Sequence, residues 1–396
     1  MKLNYLALAC AAVMLVPLAC DFPYSPEKQT LGEIDRDTTS RIFTVNTGQQ
    51  ICNPSISQDT TTYLGCMLWL NFGGQLMVNN SPSGFTNPAG QHDKLTISDT
   101  ANNVVWFMEL PDDIPVHVKG EIQDPEWSTH PDFVVCLGSD STKKIWDGYA
   151  VRISDKSYLK FNDGKMAGTG TPHIWVDPTA TGGGAASNPQ HDATTGFVDR
   201  ESINEFFGTY NVTVAYTAVE NNVSQLAFMD YSQATPEPVK LTKPEGRESW
   251  TVESALISPD GKWVAFNCFA QLEFYVAYIQ ALSSGSTPYL VEEDAADPHW
   301  WIHPDDASLL YLVYAKIEGS HYVKEDLTGE EVLSTASAGY TVKQQVKLFA
   351  GRPAHAGLQF VGEPQRLINL PFKGGLSPDG TYLCTGYANA YIAGLE

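Results

Sequence analysis

The sequence predicts an all-β fold: a six-bladed β-propeller of four-stranded antiparallel blades, closed by an N-terminal strand. Two observations support this prediction. A short proline-containing anchor recurs six times along the chain, and each copy is followed by short runs of β-branched and aromatic residues. With 396 residues, of which 43% are hydrophobic, the chain can bury a core of the size that such a fold needs.

The six anchors occur in a longer and a shorter form. The longer form aligns without gaps in three copies, "DPEWSTHPDF" from Asp124, "TPHIWVDPTA" from Thr171 and "DPHWWIHPDD" from Asp297. The shorter form occurs as "NPSISQD" from Asn53, "SALISPDG" from Ser254 and "KGGLSPDG" from Lys373. In the Pro-Asp-Gly copies, proline presets the backbone angle of a turn and glycine accepts the positive φ. These anchors therefore predict a turn that leads into a strand.

The runs that follow the anchors read as strands. They are "TTYLGCMLWL", "FVVCLGS", "NVTVAYTA", "KWVAFNCFA", "LLYLVYA" and "TYLCTGY". A third and a fourth run come next, as "FYVAYIQAL" and "PYLVEED" do after the fourth anchor. An anchor and its strands make a four-stranded antiparallel unit, which cannot bury both of its faces alone. Six such units packed face to face around an axis solve that problem.

The last unit is one strand short, because only "TYLCTGY" and "AYIAGL" follow the sixth anchor. The run "SRIFTVN" at residues 40–46 precedes the first anchor, and it can supply the missing strand. Closing the ring in this way leaves no open sheet edge at the ends of the chain. Helical periodicity is rare, and only "DRESINEFFG" from Asp199 predicts a short helix.

Uneven spacing between the anchors predicts long inserts in alternate blades. They fall at about residues 71–95 in the first blade, 177–209 in the third and 316–343 in the fifth. The third-blade insert is rich in Gly and Ala, and we expect it to be mobile. If the inserts leave from one face, they build a rim around the channel mouth, where loops on a rigid scaffold commonly bind ligands.

The first residues have the pattern of an export signal, with one early charge at Lys2 followed by an apolar run. Cys20 ends this run after "VPLA", which resembles a bacterial lipobox, and ordinary cleavage nearby is the alternative. We therefore expect a signal peptide at 1–19, a tether at 20–39 and a propeller at 40–396. The expected location is outside the cytoplasm, as a membrane-anchored lipoprotein that faces the periplasm or the cell surface.

The formal net charge of -22 argues against nucleic acid and anionic lipid surfaces as partners, because both would repel the chain. A cation or a basic partner is compatible with it. Five cysteines follow Cys20, without the clustered spacing of a zinc site. Most of them lie in strand-like runs, where cysteine usually acts as a small buried hydrophobe. A disulfide between Cys52 and Cys66 is an open alternative in an exported chain.

The segment "LISPDGKWVAF", followed by "FYVAYIQALSSGSTPYLVEEDAADPHWW", resembles the repeat of the TolB-like propellers, a family built from PD40-type repeats. "LSPDGTYLCTGY" is a second good match, and the second and fifth blades match with a two-residue extension of the anchor. The third blade matches least, since it lacks the Pro-Asp-Gly turn. The resemblance implies the fold and leaves the activity open, because similar propellers serve as docking platforms, as lids on peptidases and as complete enzymes.

Two sets of polar side chains occupy equivalent positions in the anchors of the second, third and fifth blades. One set is Glu126, His173 and His299, and the other is His130, Asp177 and His303. Because innermost strands border the channel, each set is expected to form a ring where a divalent metal could bind. Some TolB-like lyases that act on uronate oligosaccharides resemble this arrangement. The structural alternative is that these residues bond to neighbouring backbone and fix the turns.

Three tryptophans lie beside these positions. Trp127, Trp300 and Trp301 are expected to pack between blades, where large aromatic side chains bury much area. An aromatic platform for a sugar is the alternative interpretation.

Two functions remain open. The first is a non-enzymatic, membrane-tethered, monomeric propeller that needs no cofactor and binds a protein or glycan partner on its loop-decorated face. The second is a metal-dependent lyase or hydrolase of polysaccharides, with its site at the channel. A serine peptidase is not expected, because no G-x-S-x-G elbow occurs and the chain ends with the last blade. Acids are too numerous for any pair of them to indicate a glycosidase.

Overall fold

The structure of the chain is a computed structural model. It describes residues 41–44, 51–71, 78–86, 92–109, 122–139, 146–164, 172–220, 223–270, 275–293, 295–303, 306–317, 323–325, 331–333, 346–351, 365–369, 375–379, 382–386 and 390–394. These ranges contain 25 strands and one helix, so the predicted all-β fold is confirmed.

The strands form five four-stranded antiparallel sheets, here called blades one to five, in which neighbouring strands follow one another along the chain. A first strand, β1 (Arg41–Thr44), precedes them. Blade one contains β2 (Ile51–Ile56), β3 (Met67–Asn71), β4 (Lys94–Ser98) and β5 (Val104–Glu109). Blade two contains β6 (Ile122–Trp127), β7 (Phe133–Ser139), β8 (Trp146–Arg152) and β9 (Tyr158–Asn162).

Blades three to five repeat this order. Blade three contains β10 (His173–Val176), the helix α1 (Arg200–Phe207), β11 (Val212–Glu220), β12 (Val223–Asp230) and β13 (Val239–Lys240). Blade four contains β14 (Thr251–Ile257), β15 (Trp263–Phe269), β16 (Tyr275–Ala281) and β17 (Tyr289–Glu293). Blade five contains β18 (Ala295–His303), β19 (Asp306–Ile317), the hairpin β20 (Val323–Glu325) and β21 (Glu331–Leu333), β22 (Val346–Gly351) and β23 (Gln365–Asn369).

The remaining strands, β24 (Tyr382–Gly386) and β25 (Ala390–Gly394), join β1 in a three-stranded sheet that we call the terminal sheet. The strand order is β1-β25-β24, with Arg41 opposite Gly394 and Thr44 opposite Tyr391. The strand before the first anchor therefore pairs with the last strand of the described chain, as the sequence predicts.

Apolar side chains fill the spaces between neighbouring blades. The main clusters join Leu70 to Val134, Phe133 to Ile174, Leu226 to Ile257 and Leu256 to Leu312, each time across two consecutive blades. Sheets that pack face to face in series, with short innermost strands next to one another, form a β-propeller.

The three tryptophans at the anchors connect blades. The indole Nε1 of Trp127 donates to the carbonyl of Ser55 in blade one at 3.1 Å, and that of Trp301 donates to the carbonyl of Ser377 at 2.8 Å. Trp300 donates in the same way to the main chain of blade four at 2.8 Å. Their exposed fractions are 2%, 8% and 6% in that order, so the predicted packing role is confirmed and no ring face is left for a sugar platform.

The anchors also contain a feature that the sequence does not predict, a β-bulge. Asp124, Ser254 and Asp297 have positive φ values of 49°, 57° and 47°, and the strand register shifts just after each of them. Aspartate tolerates this left-handed conformation better than most residues. A bulge rotates the side chain that follows it, and in blades two and five that side chain is Glu126 and His299.

The Pro-Asp-Gly turn of blade four has the predicted form. Gly261 has a φ of 72°, its amide donates to the carbonyl of Ser258 at 2.9 Å, and the Ser258 hydroxyl donates to Asp260 at 2.6 Å. A Cβ at Gly261 would lie 2.7 Å from the indole of Trp175 in blade three. Glycine is therefore required here both by the backbone angle and by the close approach of the neighbouring blade.

Part of the insert of blade three is packed, because the helix α1 buries Ile203, Phe206 and Phe207 against blade two; the mobility expected of the glycine-rich part stays a prediction. Asp199 caps α1 through Ser202 N at 2.7 Å, and Gly208 ends the helix in the left-handed conformation. A Cβ on Gly183 would collide with the main chain of this helix, so a close contact requires glycine at this position. The buried Arg152 of blade two donates to carbonyls on both sides of that contact, at 3.1 Å and 2.5 Å.

The inserts do not share one face of the propeller, and the expected common rim is therefore wrong. In blade three the insert connects the first and second strands, β10 and β11. In blades one and five the long connections lie between the second and third strands, β3 and β4 or β19 and β22. Because consecutive strands run antiparallel, these two kinds of connection leave the sheets at opposite ends.

The alternative of a disulfide between Cys52 and Cys66 is also wrong. Cys66 is a free, buried thiol. On the neighbouring strand, Cys52 lies opposite Leu70, four residues beyond Cys66. That offset along a strand is roughly 13 Å, whereas bridged cysteines have Cα atoms within about 7 Å.

The predicted signal peptide at 1–19, the lipid-anchor residue Cys20 and the tether at 20–39 lie outside the described residues. Within the described ranges, no helix has the length and apolar character needed to span a membrane.

Candidate functional site

The first predicted ring of polar side chains comes together where the innermost strands meet. Ser55 of blade one, Glu126 of blade two, His173 of blade three and His299 of blade five occupy matching positions of β2, β6, β10 and β18. Gly375, next to the terminal sheet, belongs to the same neighbourhood, since a Cβ added to it would lie 3.4 Å from the ring of His299. We call these residues the channel ring.

Glu126 is half-buried and tied to blade one. The hydroxyl of Ser55 donates to its Oε1, and the main-chain N–H of Trp127 approaches the same oxygen at 3.2 Å. The charge of Glu126 also affects a residue of the terminal sheet. The pKa of the Cys384 thiol on β24 is raised, first by burial and then by the nearby carboxylate of Glu126. The carboxylate therefore lies among blades one and two and the terminal sheet, as expected for a channel position.

His173 is buried and uses both ring nitrogens to hold other blades. Its Nδ1 accepts from the main-chain N–H of Ile257 in blade four at 3.0 Å. The ring also has a backbone hydrogen bond with Trp127 in blade two, and because Nδ1 accepts, the proton donated there lies on Nε2. Burial lowers its pKa to about 3, the bond to Trp127 opposes this shift, and an electrostatic interaction with the nearby His299 adds to it. His173 is therefore a neutral link between three consecutive blades.

His299 is a half-buried member of the channel ring, and its two ring nitrogens differ in their bonding. Its Nδ1 lies 2.9 Å from the carbonyl of Asp297, and a carbonyl only accepts, so this nitrogen carries the proton. In the neutral ring, Nε2 then keeps its lone pair. Among the described residues Nε2 has no hydrogen-bond partner, so it is the most available metal ligand or base of the channel ring.

The donor set of the channel ring does not fit a shared metal ion. Two members, Glu126 and His299, keep lone pairs, but both nitrogens of His173 are engaged by main-chain groups. A protein metal site needs three or more converging donors. Within the described ranges, no group of three His, Cys, Asp or Glu side chains is arranged to hold a metal.

Two members of the second predicted set, His130 and Asp177, are engaged in local turns. His130 donates from Nε2 to the carbonyl of Ala180 at 3.1 Å and accepts at Nδ1 from Asp132 N at 3.2 Å, so it fixes a turn. Asp177 accepts from the N–H and hydroxyl of Thr179, and these bonds, led by that of the hydroxyl, lower its pKa. The side chain of His303, at the end of β18, lies outside those that the structure describes.

Comparisons with known proteins found similarity to solved structures. No family model and no curated protein sequence matches the chain. Solved structures similar to it include TolB from Acinetobacter baumannii, with a TM-score of 0.40, 14% identity, and coverage of 76% of this chain and 60% of that one. A TolB candidate from Agrobacterium tumefaciens gives 0.39 and 12%, covering 90% and 97%. An oligogalacturonate lyase in complex with manganese gives 0.35 and 11%, covering 84% and 74%.

The architecture itself defines the class of protein, an all-β propeller of four-stranded antiparallel blades. The innermost strand of each blade contains or leads into one of the proline-containing anchors of the sequence repeat, and in blades two and five that anchor is bulged. The chain spans 60% of the length of the Acinetobacter protein, and identities of this size do not transfer an activity.

Proposed function

We propose that the chain is an exported, membrane-tethered and non-enzymatic propeller of six blades, which binds a protein or glycan partner on a loop-decorated face. In this proposal residues 1–19 direct export, Cys20 carries the lipid, residues 20–39 form the tether and residues 40–396 form the propeller. The protein acts as a monomer and needs no cofactor, since one propeller offers a complete rigid surface.

The terminal sheet supports the sixth blade. The carbonyl of Gly375 accepts from Cys384 N at 2.9 Å, which places the last anchor beside β24 in the position of an innermost strand. The side chain of Gln58 in blade one donates to Leu376 at 2.8 Å, and Trp301 in blade five reaches the same segment. Blades one and five therefore both contact this anchor, as they would in a closed ring.

The observation that carries a non-enzymatic function is the bonding of His173. This residue, one of the six that the sequence proposes for ligand binding, is committed to the main chain of blades two and four. The role of His173 is to hold neighbouring blades of the scaffold together. A rigid, closed scaffold with inserted loops is suited to binding at the surface.

Elemental analysis of the purified propeller tests this proposal against the second function, a metal-dependent lyase or hydrolase of polysaccharides. The available Nε2 of His299 is the feature that favours that alternative. We expect no stoichiometric metal in the wild type, and no change in metal content in His299→Ala or His173→Ala. One bound metal per chain that both substitutions remove would replace the binding proposal by the enzymatic one.

Membrane fractionation tests the tether. In a bacterial host, Cys20→Ser should move the protein from the membrane to the soluble fraction, because a lipid chain on this residue is the proposed attachment. Cys10→Ser is the matched control, since it removes a thiol from the expected signal and should leave the protein in the membrane. A Cys20→Ser protein that stays in the membrane fraction would refute lipid anchoring.

A further inference from the structure

A groove lies between the insert of blade three and the connection from β12 to β13. Its volume is about 650 Å³, within the range of roughly 300–1,000 Å³ that ligand sites occupy. One wall is the insert segment 190–200, and the other is the segment 231–237. Both walls belong to the described chain, and neither contributes to the channel ring.

The floor of this groove is apolar and fixed. Phe197, Val198, Met229 and Tyr231 line it, and each of them is at most 3% exposed. The Tyr231 hydroxyl donates to the carbonyl of Val198 at 3.0 Å, and Arg200 Nε donates to the carbonyl of Tyr231 at 2.9 Å. These two bonds connect the walls, so the groove is pre-formed rather than opened by a ligand.

The rim of the groove is acidic. Asp192 stands on one wall and Glu237 on the other, both are exposed, and neither has an ion pair with any described residue. The carboxylate of Asp192 is held by Thr194 N at 2.9 Å and Thr195 N at 2.7 Å. The only guanidinium that lines the groove, that of Arg200, lies 3.5 Å over a tyrosine ring and 3.9 Å from Glu201. The acids of the rim therefore keep their charge for a ligand.

We propose that this groove binds a peptide segment that presents lysine or arginine side chains. Such a side chain has a cationic head, which would meet Asp192 and Glu237, and an apolar stem, which would lie along the accessible Ala234 and Pro236 of the second wall. The net charge of -22 favours the approach of a basic partner over long range. A neutral glycan fits less well, because the two rings of the floor are at most 2% exposed and offer no stacking face. This inference rests on the proposed binding function and names its partner.

Fluorescence anisotropy with the full chain and a labelled decapeptide of alternating lysine and alanine tests the groove. The double variant Asp192→Asn/Glu237→Gln should bind this peptide about five- to tenfold more weakly, since each exposed ion pair contributes little and the two add. Asparagine keeps an acceptor for the amides of Thr194 and Thr195, so the loop should stay folded. The matched control is Glu245→Gln/Asp260→Asn, which removes the same charge away from the groove.

Each outcome decides the inference. Retention of wild-type affinity by the control, with loss only in the groove variant, supports it. Equal loss in both double variants would mean attraction by net charge, and would overturn it. So would binding of maltohexaose, but not of the peptide, in a way that depends on Asp192 and Glu237. Failure of the wild type to bind the peptide would refute the groove as a peptide-binding site. It would not refute the proposed function, because tethering and metal content are measured separately.

Discussion

Lowering the pH should weaken the propeller through His173. Its folded-state pKa is about 3, far below the ordinary 6.5, because the ring is buried. Below pH 6.5 the unfolded chain binds a proton at this residue and the folded chain does not. The stability is therefore complete above pH 6.5 and is lost as the pH falls toward 3. At a pH one unit below the ordinary pKa of 6.5, the loss of unfolding free energy is about 1.4 kcal/mol, and at two units below it the loss is about 2.7 kcal/mol.

Urea unfolding followed by tryptophan fluorescence at pH 7.5, 5.5 and 4.5 measures this loss. Comparison with His173→Asn isolates it, because the other titrating groups are common to both proteins. Asparagine keeps an acceptor for Ile257 N, and the variant should be less stable than the wild type at pH 7.5. That difference should shrink by about 1.4 kcal/mol at pH 5.5 and by about 2.7 kcal/mol at pH 4.5.

His191→Asn is the matched control, since it removes a half-buried imidazole whose Nε2 also bonds to a carbonyl. It should retain the pH-dependent loss that His173 produces. If the wild type and His173→Asn lose the same free energy of unfolding between pH 7.5 and 4.5, then His173 is not held neutral in the folded state. The assignment of this residue as a neutral link would then be wrong.

Three further outcomes can be measured on the same protein. In urea unfolding, Gly261→Ala should destabilise the protein by about 2–4 kcal/mol, because alanine is strained at this positive φ and its methyl group would clash with the indole of Trp175. The control Gly246→Ala has a similar φ but open space around it, and it should cost about 1–2 kcal/mol. Arg152→Leu should cost about 2–4 kcal/mol by removing the buried guanidinium that donates to the carbonyls of Gly184 and Phe206, and a loss under about 1 kcal/mol would show that the insert docks without it. Cys66 has a pKa raised to about 12 by burial, so at pH 9 peptide-level thiol labelling should modify it only after denaturation.

The sequence repeat predicted most of the fold correctly because it reports packing that every blade shares. Strand runs after each anchor, the short helix from Asp199 and the pairing of β1 with β25 all follow from local patterns and from the need to pair sheet edges. Equivalent positions in the anchors also placed Glu126, His173 and His299 around one region.

The roles of those side chains could not be predicted, because they depend on main-chain atoms of other blades. His173 becomes a structural link only when β14 presents the N–H of Ile257 to it. The bulges at Asp124 and Asp297 could have been suspected from the residue type alone, since aspartate adopts a positive φ more readily than most residues. No pattern in the sequence marks the groove, since its two walls, residues 190–200 and 231–237, come from separate parts of the chain.

The glycine-rich composition of the third-blade insert has two physical explanations. Glycine indicates mobility where the chain meets only solvent, and close packing where another backbone occupies the space of a Cβ. Gly183 belongs to the second class, and a single sequence does not distinguish the two.

The attachment of this insert to blade two limits how far the repeats can be treated as exchangeable modules. The amide of Val198 donates to the carbonyl of Phe161 on β9 at 3.0 Å, so part of the third repeat extends the outer edge of the second. A chimera that replaced blade three with the corresponding repeat of another propeller would uncover that edge and leave Arg152 without its acceptors. Recombination or design in this chain should therefore move the second and third repeats together, with junctions placed before β6 and after β13.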